Sequence, residues 1–283
     1  MIIRLSERKD INGIVSLWNE AFGDTAEEIM FFINNKYLPQ NTLVAEENEE
    51  IASVLFLLDG TMCINGIDYP SYYLYAACTL NKYRGRGFMA KLLKEAEKIA
   101  LLRKINFICL MPGEKTLFDF YEKFGYKTVF SKKIVSIDVK TDIKPIVIKQ
   151  SDDINFEATR NNAFSNNDYF KWDNQSIMFA VLHNKMYSGN CFRTCNGYCL
   201  YNKINDIICV KELTFTSDFD IEIIHNIAVS ENCKKIIVNL PSEYPTDIGK
   251  SEIVPSAMML AVNKHSKRIA DGIKNAYLGL TLD

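Results

Sequence analysis

The stretch Leu80-Asn81-Lys82-Tyr83-Arg84-Gly85-Arg86-Gly87-Phe88-Met89-Ala90 constrains this chain more than any other. It follows an apolar, strand-like run and opens a helix-like one, so a strand must become a helix within a few residues. A helix start leaves backbone N–H groups unpaired and carries a partial positive charge, which suits an anion. Gly85 and Gly87 let the backbone come close to that anion. Arg84 and Arg86 add charge in a geometry that matches phosphate. Taken alone, the segment reads equally as a tight turn with a solvated basic patch. The preceding strand ends in the small residues Ala76-Ala77-Cys78-Thr79, against which an extended ligand can lie and pair with the backbone.

The elements around this segment follow from periodicity and turn residues. Ile2 to Arg4 reads as a strand and Ser6 as the cap of a helix with Ile11, Ile14, Val15, Trp18 and Phe22 at helical spacing. A second helix spans Glu27 to Tyr37 and ends at Pro39. Strands at Thr42–Glu46 and Ile51–Asp59 flank an acidic turn, and Asn65-Gly66 signals a hairpin into a strand from Tyr69 to Leu80. Met89, Leu92, Leu93, Ala96, Ile99 and Ala100 share one helix face. Asn106–Met111 is a buried strand, Leu117–Phe124 a short helix stopped by Gly125, and two strands lie within Tyr126–Val139.

The polar segment Lys140-Thr141-Asp142-Ile143-Lys144-Pro145 is the expected domain boundary, which places domains at 1–140 and 141–283. Beyond it we expect a helix at Asn155–Phe164, strands at Met178–Leu182, Tyr198–Asn202 and Ile207–Phe215, and a helix at Phe219–Val229. A strand at Lys235–Leu240, a helix near Met258–Val262 and a last strand at Tyr277–Leu282 follow. This order repeats that of the first half and suggests a duplication.

Composition excludes several classes. The chain is 48% hydrophobic and 24% charged, as a soluble globular protein is, and its net charge of −2 offers no field for nucleic acid or an anionic membrane. No apolar run approaches the roughly 20 residues of a membrane span, and the N-terminus lacks a signal-peptide core, so a cytoplasmic location is expected. Eight cysteines sit mostly in apolar stretches and read as reduced, buried thiols. Cys191, Cys195 and Cys199 form a CxxxCxxxC run without the paired CxxC spacing of zinc sites, so no metal is expected.

About thirty residues after the glycine-arginine loop comes Leu117-Phe118-Asp119-Phe120-Tyr121-Glu122-Lys123-Phe124-Gly125-Tyr126. Together the two segments resemble the GNAT acetyltransferase superfamily. Its pattern is Arg/Gln-x-x-Gly-x-Gly/Ala after a strand, then a helix bearing Tyr-x-x-x-Gly-Phe/Tyr. Met89 departs from the first part, and Tyr121 to Tyr126 match the second. The Met89 departure, and a second domain, make the chain similar to the enhanced-intracellular-survival type of aminoglycoside acetyltransferase. At 283 residues, the chain is expected to lack that group's C-terminal lipid-carrier-like domain.

The resemblance implies an α/β (α+β) fold of two GNAT-like domains, each a mixed, mostly antiparallel sheet flanked by helices, the second degenerate. It implies acetyl-CoA as co-substrate and an amine of a small molecule or peptide as acceptor. Ala77, Cys78 and Thr79 would pair with the pantetheine arm. Arg84, Gly85, Arg86, Gly87, Phe88, Met89 and Ala90 would hold the pyrophosphate, and Tyr121 would protonate the departing thiolate. Without the motif Tyr121 reads as a core aromatic beside Phe118, Phe120 and Phe124. Asp24, Glu27, Glu28, Glu212 and the terminal carboxylate of Asp283 remain open as the base. The second half carries Thr216-Ser217-Asp218-Phe219 where a phosphate loop would stand; it has no glycine, and Asp218 would repel phosphate. A non-catalytic acyl-CoA-binding sensor, or transfer of a different acyl group, are the competing readings.

Overall fold

The computed structural model describes residues 1–139, 150–151, 153–215, 219–245 and 249–282. Strand β1 (Ile2–Leu5) leads to helices α1 (Ile11–Phe22) and α2 (Ala26–Lys36). Strands β2 (Thr42–Glu47), β3 (Glu50–Ile64) and β4 (Ile67–Thr79) follow, then α3 (Phe88–Leu102), β5 (Phe107–Leu110), α4 (Thr116–Glu122) and β6 (Lys127–Asp138). After these come α5 (Phe156–Ala163), β7 (Tyr169–Lys171), α6 (Asn174–Met186), β8 (Asn190–Thr194), β9 (Gly197–Ile204) and β10 (Ile207–Leu213). The last elements are α7 (Phe219–Ser230), β11 (Lys235–Pro241), β12 (Lys250–Ala261) and α8 (Lys264–Ala270). The architecture is mixed α/β, with mostly antiparallel strands, as expected.

The chain divides into two compact units. One comprises Met1–Thr61, Tyr69–Thr128 and Met258–Gly272; the other comprises Met62–Asp68, Val129–Ala257 and Ile273–Asp283. The expected boundary segment, Lys140 to Pro145, lies outside the described residues. Most of β6, expected in the first domain, groups with the second unit.

In the first unit the strands run β1-β2-β3-β4-β5, and Met258–Ala261 of β12 add an antiparallel strand beside β5. Asn65 and Gly66 both take positive φ (51° and 75°), the backbone that a tight two-residue hairpin requires. Thr25 and Glu28 cap α2 reciprocally. Helix α1 buries Ile14, Leu17 and Trp18, and the Trp18 ring meets Phe32 at 5.0 Å and Phe56 at 5.4 Å. Helix α3 buries Phe88, Leu92, Leu93, Ala96 and Ala100, one apolar stripe at helical spacing.

The second unit repeats these connections. Antiparallel β9 and β10 correspond to the β3–β4 hairpin, α7 crosses to parallel β11, and β6 lies antiparallel beside β11. Ile208, Val210, Ile236 and Val238 of these strands pack with Ile223, Ile224 and Ile227 of α7 into one core. A second feature is polar. Arg160 and Glu212 are both fully buried, and the guanidinium spans both carboxylate oxygens at 3.0 and 3.1 Å. Arg160 also donates to the carbonyls of Phe170 and Leu278, while Glu212 accepts from the Tyr198 hydroxyl at 2.5 Å and the Leu280 amide at 2.8 Å. Gly279 (φ 65°) passes so close that a Cβ there would stand 2.6 Å from Glu212.

Five expectations change. Ser6 does not cap a helix; its hydroxyl meets that of Tyr37 at 2.9 Å, and Glu7 with Asp10 closes the first turn. One continuous strand, β6, replaces two. Met178–Leu182 lies inside α6, whose start Asp173 caps through the Ser176 amide. A short apolar run is ambiguous between strand and buried helix, and the cap decides. Met258–Val262 falls at the end of strand β12 rather than in a helix, because pairing with β5 overrides the helix preference of Met, Leu and Ala. The tail near Tyr277 forms only the isolated bridges Phe130–Ala276 and Tyr169–Tyr277, held by the Arg160–Glu212 cluster.

Breaking that cluster from one side should be costly. Glu212→Ala leaves Arg160 buried and uncompensated, and the second unit should lose about 3–5 kcal/mol in urea denaturation. A loss below about 1 kcal/mol would mean that the pair is not fully buried in solution.

Candidate active site

The site grows from strand β4 in the first unit. Parallel pairing between β4 and β5 covers three residue pairs, Ser71–Phe107, Tyr72–Ile108 and Tyr73–Cys109. Strand β4 then runs on to Thr79 without a β5 partner in that register. Within this free stretch Ala76 takes φ 45°, a left-handed conformation that a non-glycine residue adopts at a cost of roughly 1–2 kcal/mol. It kinks the strand immediately before Ala77, Cys78 and Thr79. Ala77 and Thr79 are half-buried and Cys78 is buried. Ser53 on β3 fixes this end of the strand by bonding the Cys78 carbonyl at 2.8 Å and the Thr79 hydroxyl at 2.7 Å. At Ala77–Thr79, beyond the register shared with β5, the strand offers a backbone edge that an extended ligand can pair with.

The glycine-arginine loop begins where β4 ends. The Leu80 amide makes a last bond to Ala52, a single 3-10 turn covers Asn81–Tyr83, and Gly85 (φ 74°) and Gly87 (φ 78°) reverse the backbone. Gly87 caps α3, and the first helical bond runs from the Lys91 amide to the Gly87 carbonyl. The amides of Phe88, Met89 and Ala90 therefore precede the hydrogen-bond ladder, as an anion site needs. A Cβ built on Gly85 or Gly87 meets nothing within 4 Å. The glycines serve the sign of φ, and the space before the helix is open. Arg84 and Arg86 are exposed. Arg84 reaches back to the Thr79 carbonyl at 3.2 Å, and Arg86 lies over the Tyr83 and Phe88 rings. Phe88 is buried; Met89 and Ala90 are half-buried.

Tyr121 comes from α4. Only 7% of it is exposed, and its ring meets Tyr126 edge-on at 5.6 Å. Burial pushes its hydroxyl up to about 12, and the nearby Cys78 thiol adds to the effect. Tyr121 thus feels the charge of Cys78 at the end of β4. The phenol is protonated throughout the neutral range and can donate, as an acid must. Gly125 (φ 86°) lets the chain leave α4, after which Tyr126 is fully packed.

The candidate bases are not gathered in one place. Asp24 accepts from the Trp18 indole at 2.7 Å. Glu28 serves the cap of α2, and Glu27 is exposed on the first turn of that helix. Glu212, a candidate in the sequence, is closed inside the second unit by Arg160, Tyr198 and Leu280, and so is corrected to a structural residue. Asp283 and the Thr216–Asp218 segment lie outside the described residues. Cys191 is half-buried, Cys195 exposed and Cys199 buried; among the described residues no three potential ligands gather around a metal position. No described helix is long and apolar enough to cross a membrane.

Sequence reasoning missed several partners of the loop. Glu20 accepts from the Asn81 amide at 2.7 Å, Glu50 pairs with Lys82 at 2.6 Å, and Glu47 faces Arg86 at 3.4 Å. The acidic turn was legible as a turn, but its partners lie more than thirty residues away.

Comparison with known proteins agrees with this geometry. The family model of the acetyltransferase (GNAT) domain matches residues 2–129. No curated protein matches the sequence. Among solved structures, a probable N-acyltransferase from Enterococcus faecalis superimposes with a TM-score of 0.73 at 13% identity, covering 94% of this chain and 73% of that one. A GCN5-related N-acetyltransferase from Anabaena variabilis gives a TM-score of 0.74 at 14% identity over 94% of this chain and 74% of its own. Eis1 from Mycobacterium abscessus gives 0.69 at 14% identity over 93% and 74%. At such identities these structures speak for the fold. The acetyltransferase (GNAT) family model thus accounts for residues 2–129, and the solved structures show the same fold across the chain.

Proposed function

We propose that this chain moves the acetyl group of acetyl-CoA to a primary amine by direct attack, using one cofactor site in its first unit. The observation that carries the reading is the free edge of β4 running directly into an open, glycine-reversed helix start. One end suits an amide-bearing arm and the other a pyrophosphate. The residues fit the ligand: a Cβ at Gly85 or Gly87 would project into open space, and Arg84 and Arg86 are exposed beside it. Ala77, Cys78 and Thr79 would hold the arm; Arg84 through Ala90 would hold the phosphates.

In the reaction a neutral amine nitrogen adds to the thioester carbonyl carbon, and the carbon–sulfur bond then breaks. The sulfur leaves with the bonding electrons, and the surplus amine proton passes to a carboxylate or water. Tyr121 faces the departing sulfur. With its hydroxyl held near 12, above an ordinary thiol at about 8.5, Tyr121 donates a hydrogen bond to the developing thiolate rather than losing its proton outright. The second unit, with Thr216-Ser217-Asp218 in place of a phosphate loop, would be a degenerate, non-catalytic partner.

Two measurements test this. Calorimetry should give one CoA per chain, and Gly87→Val should weaken CoA by at least about tenfold, since its side chain both strains φ and fills the cradle. Unchanged affinity in a folded variant would remove the loop from the site. Tyr121→Phe keeps the ring packing and should lower the acetyl-transfer step, read before product release, by about 10²-fold. The sign of its shift adds a second reading. A hydroxyl raised to about 12 stays protonated at lower pH, so wild type should show no falling limb from Tyr121 between about pH 6 and 10, and the variant should lower the profile without displacing it. A transfer step at the wild-type rate would make Tyr121 a packing residue.

A further inference from the structure

Two basic residues of the loop, Lys82 and Arg86, already face carboxylates. Lys82 sits 2.6 Å from Glu50, which also accepts from the Tyr83 hydroxyl at 3.1 Å. Arg86 faces Glu47 at 3.4 Å while its guanidinium lies 5.1 Å from the Tyr83 ring centre. Both carboxylates belong to the β2–β3 turn, whose run Glu46-Glu47-Asn48-Glu49-Glu50 is the densest acidic segment of the chain. Asn48 (φ 53°) and Glu49 (φ 63°) make the turn tight, so Glu47 and Glu50 are held on either side of it and project at the loop.

We propose that the β2–β3 turn is an electrostatic latch on the phosphate loop: Glu47 and Glu50 occupy Arg86 and Lys82, and the phosphates of CoA must displace them. This rests on the reading of the loop as a phosphate site. Lys82 and Arg86 are exposed while Glu47 and Glu50 are half-buried, and Glu47 also takes the Met1 ammonium, so the pairs with the loop are individually weak and a multiply charged ligand can break both. The carboxylates then remain beside the bound phosphates and repel them through water. The latch therefore moderates affinity and favours departure of the spent CoA.

Calorimetry at low salt separates the latch from the site. Wild type, Glu47→Gln, Glu50→Gln and the double variant are titrated with CoA, dephospho-CoA and pantetheine, with Glu95→Gln on α3 as a control for net charge. The double variant should bind CoA about three- to tenfold more tightly, the single variants less so. Dephospho-CoA should gain less than CoA, and pantetheine, which has no phosphate, should gain nothing. Added salt should narrow the difference. If wild type binds CoA and the folded double variant binds it equally or more weakly, the carboxylates pre-organise or ignore the loop and the latch is wrong while the site stands. The latch is equally overturned if Glu95→Gln reproduces the gain. If no form binds CoA, the site reading fails and takes the latch with it.

Discussion

Strands β4 and β5 pair for three residues and then part, and the site depends on that parting. Parallel strands in a closed sheet would satisfy each other's backbone groups and leave nothing for a ligand. Here pairing stops at Tyr73 and Cys109, and β4 continues through a left-handed Ala76 to Thr79. The strain at Ala76 is of the order that local structure can hold when neighbours over-determine it. Ser53 supplies one such restraint from β3, and the Leu80 amide on Ala52 supplies another. The strand end then passes through the Asn81–Tyr83 turn and the glycine-arginine loop into the start of α3.

Around the start of α3, charge comes from two different sources. The helix start provides unpaired amides and partial charge that cannot be neutralised by a side chain. The formal charges of Lys82 and Arg86, by contrast, are shared with Glu50 and Glu47. Affinity for phosphate would rest first on backbone and glycine geometry and only second on basic side chains. Tyr121 is treated differently again. It is withdrawn from water, and that withdrawal keeps its proton in place.

The second unit is organised around a buried polar cluster. Arg160 and Glu212 are fully buried, each oxygen and nitrogen directed at a partner on another segment. Removal from water makes such a pair a poor source of net stability but a strict condition on geometry, since any misplaced partner leaves a buried charge unmet. The cluster ties β10 and α5 to the tail at Leu278 and Leu280. It also explains why Glu212, a free carboxylate by sequence alone, is unavailable as a base.

Local sequence determined much of this molecule. The hairpin at Asn65-Gly66, the cap at Thr25, the apolar stripe of α3 and the glycine-reversed loop from Arg84 to Gly87 are each decided by residues within a few positions of one another. The second motif, Tyr121 to Tyr126, is equally local, and the resemblance carried by the two motifs agrees with the GNAT family model matched over residues 2–129. What depended on distant partners was not legible. The helical residues of Met258–Val262 became strand because β5 offered a hydrogen-bonding edge, while Met178–Leu182 became helix within α6. The Arg160–Glu212 pair spans fifty-two residues, and the pairing of Glu47 and Glu50 with the loop spans more than thirty. Backbone conformation is set by neighbours along the chain, but burial, pairing and the direction of a charge are set by whatever the fold brings alongside, and only the tertiary structure decides that.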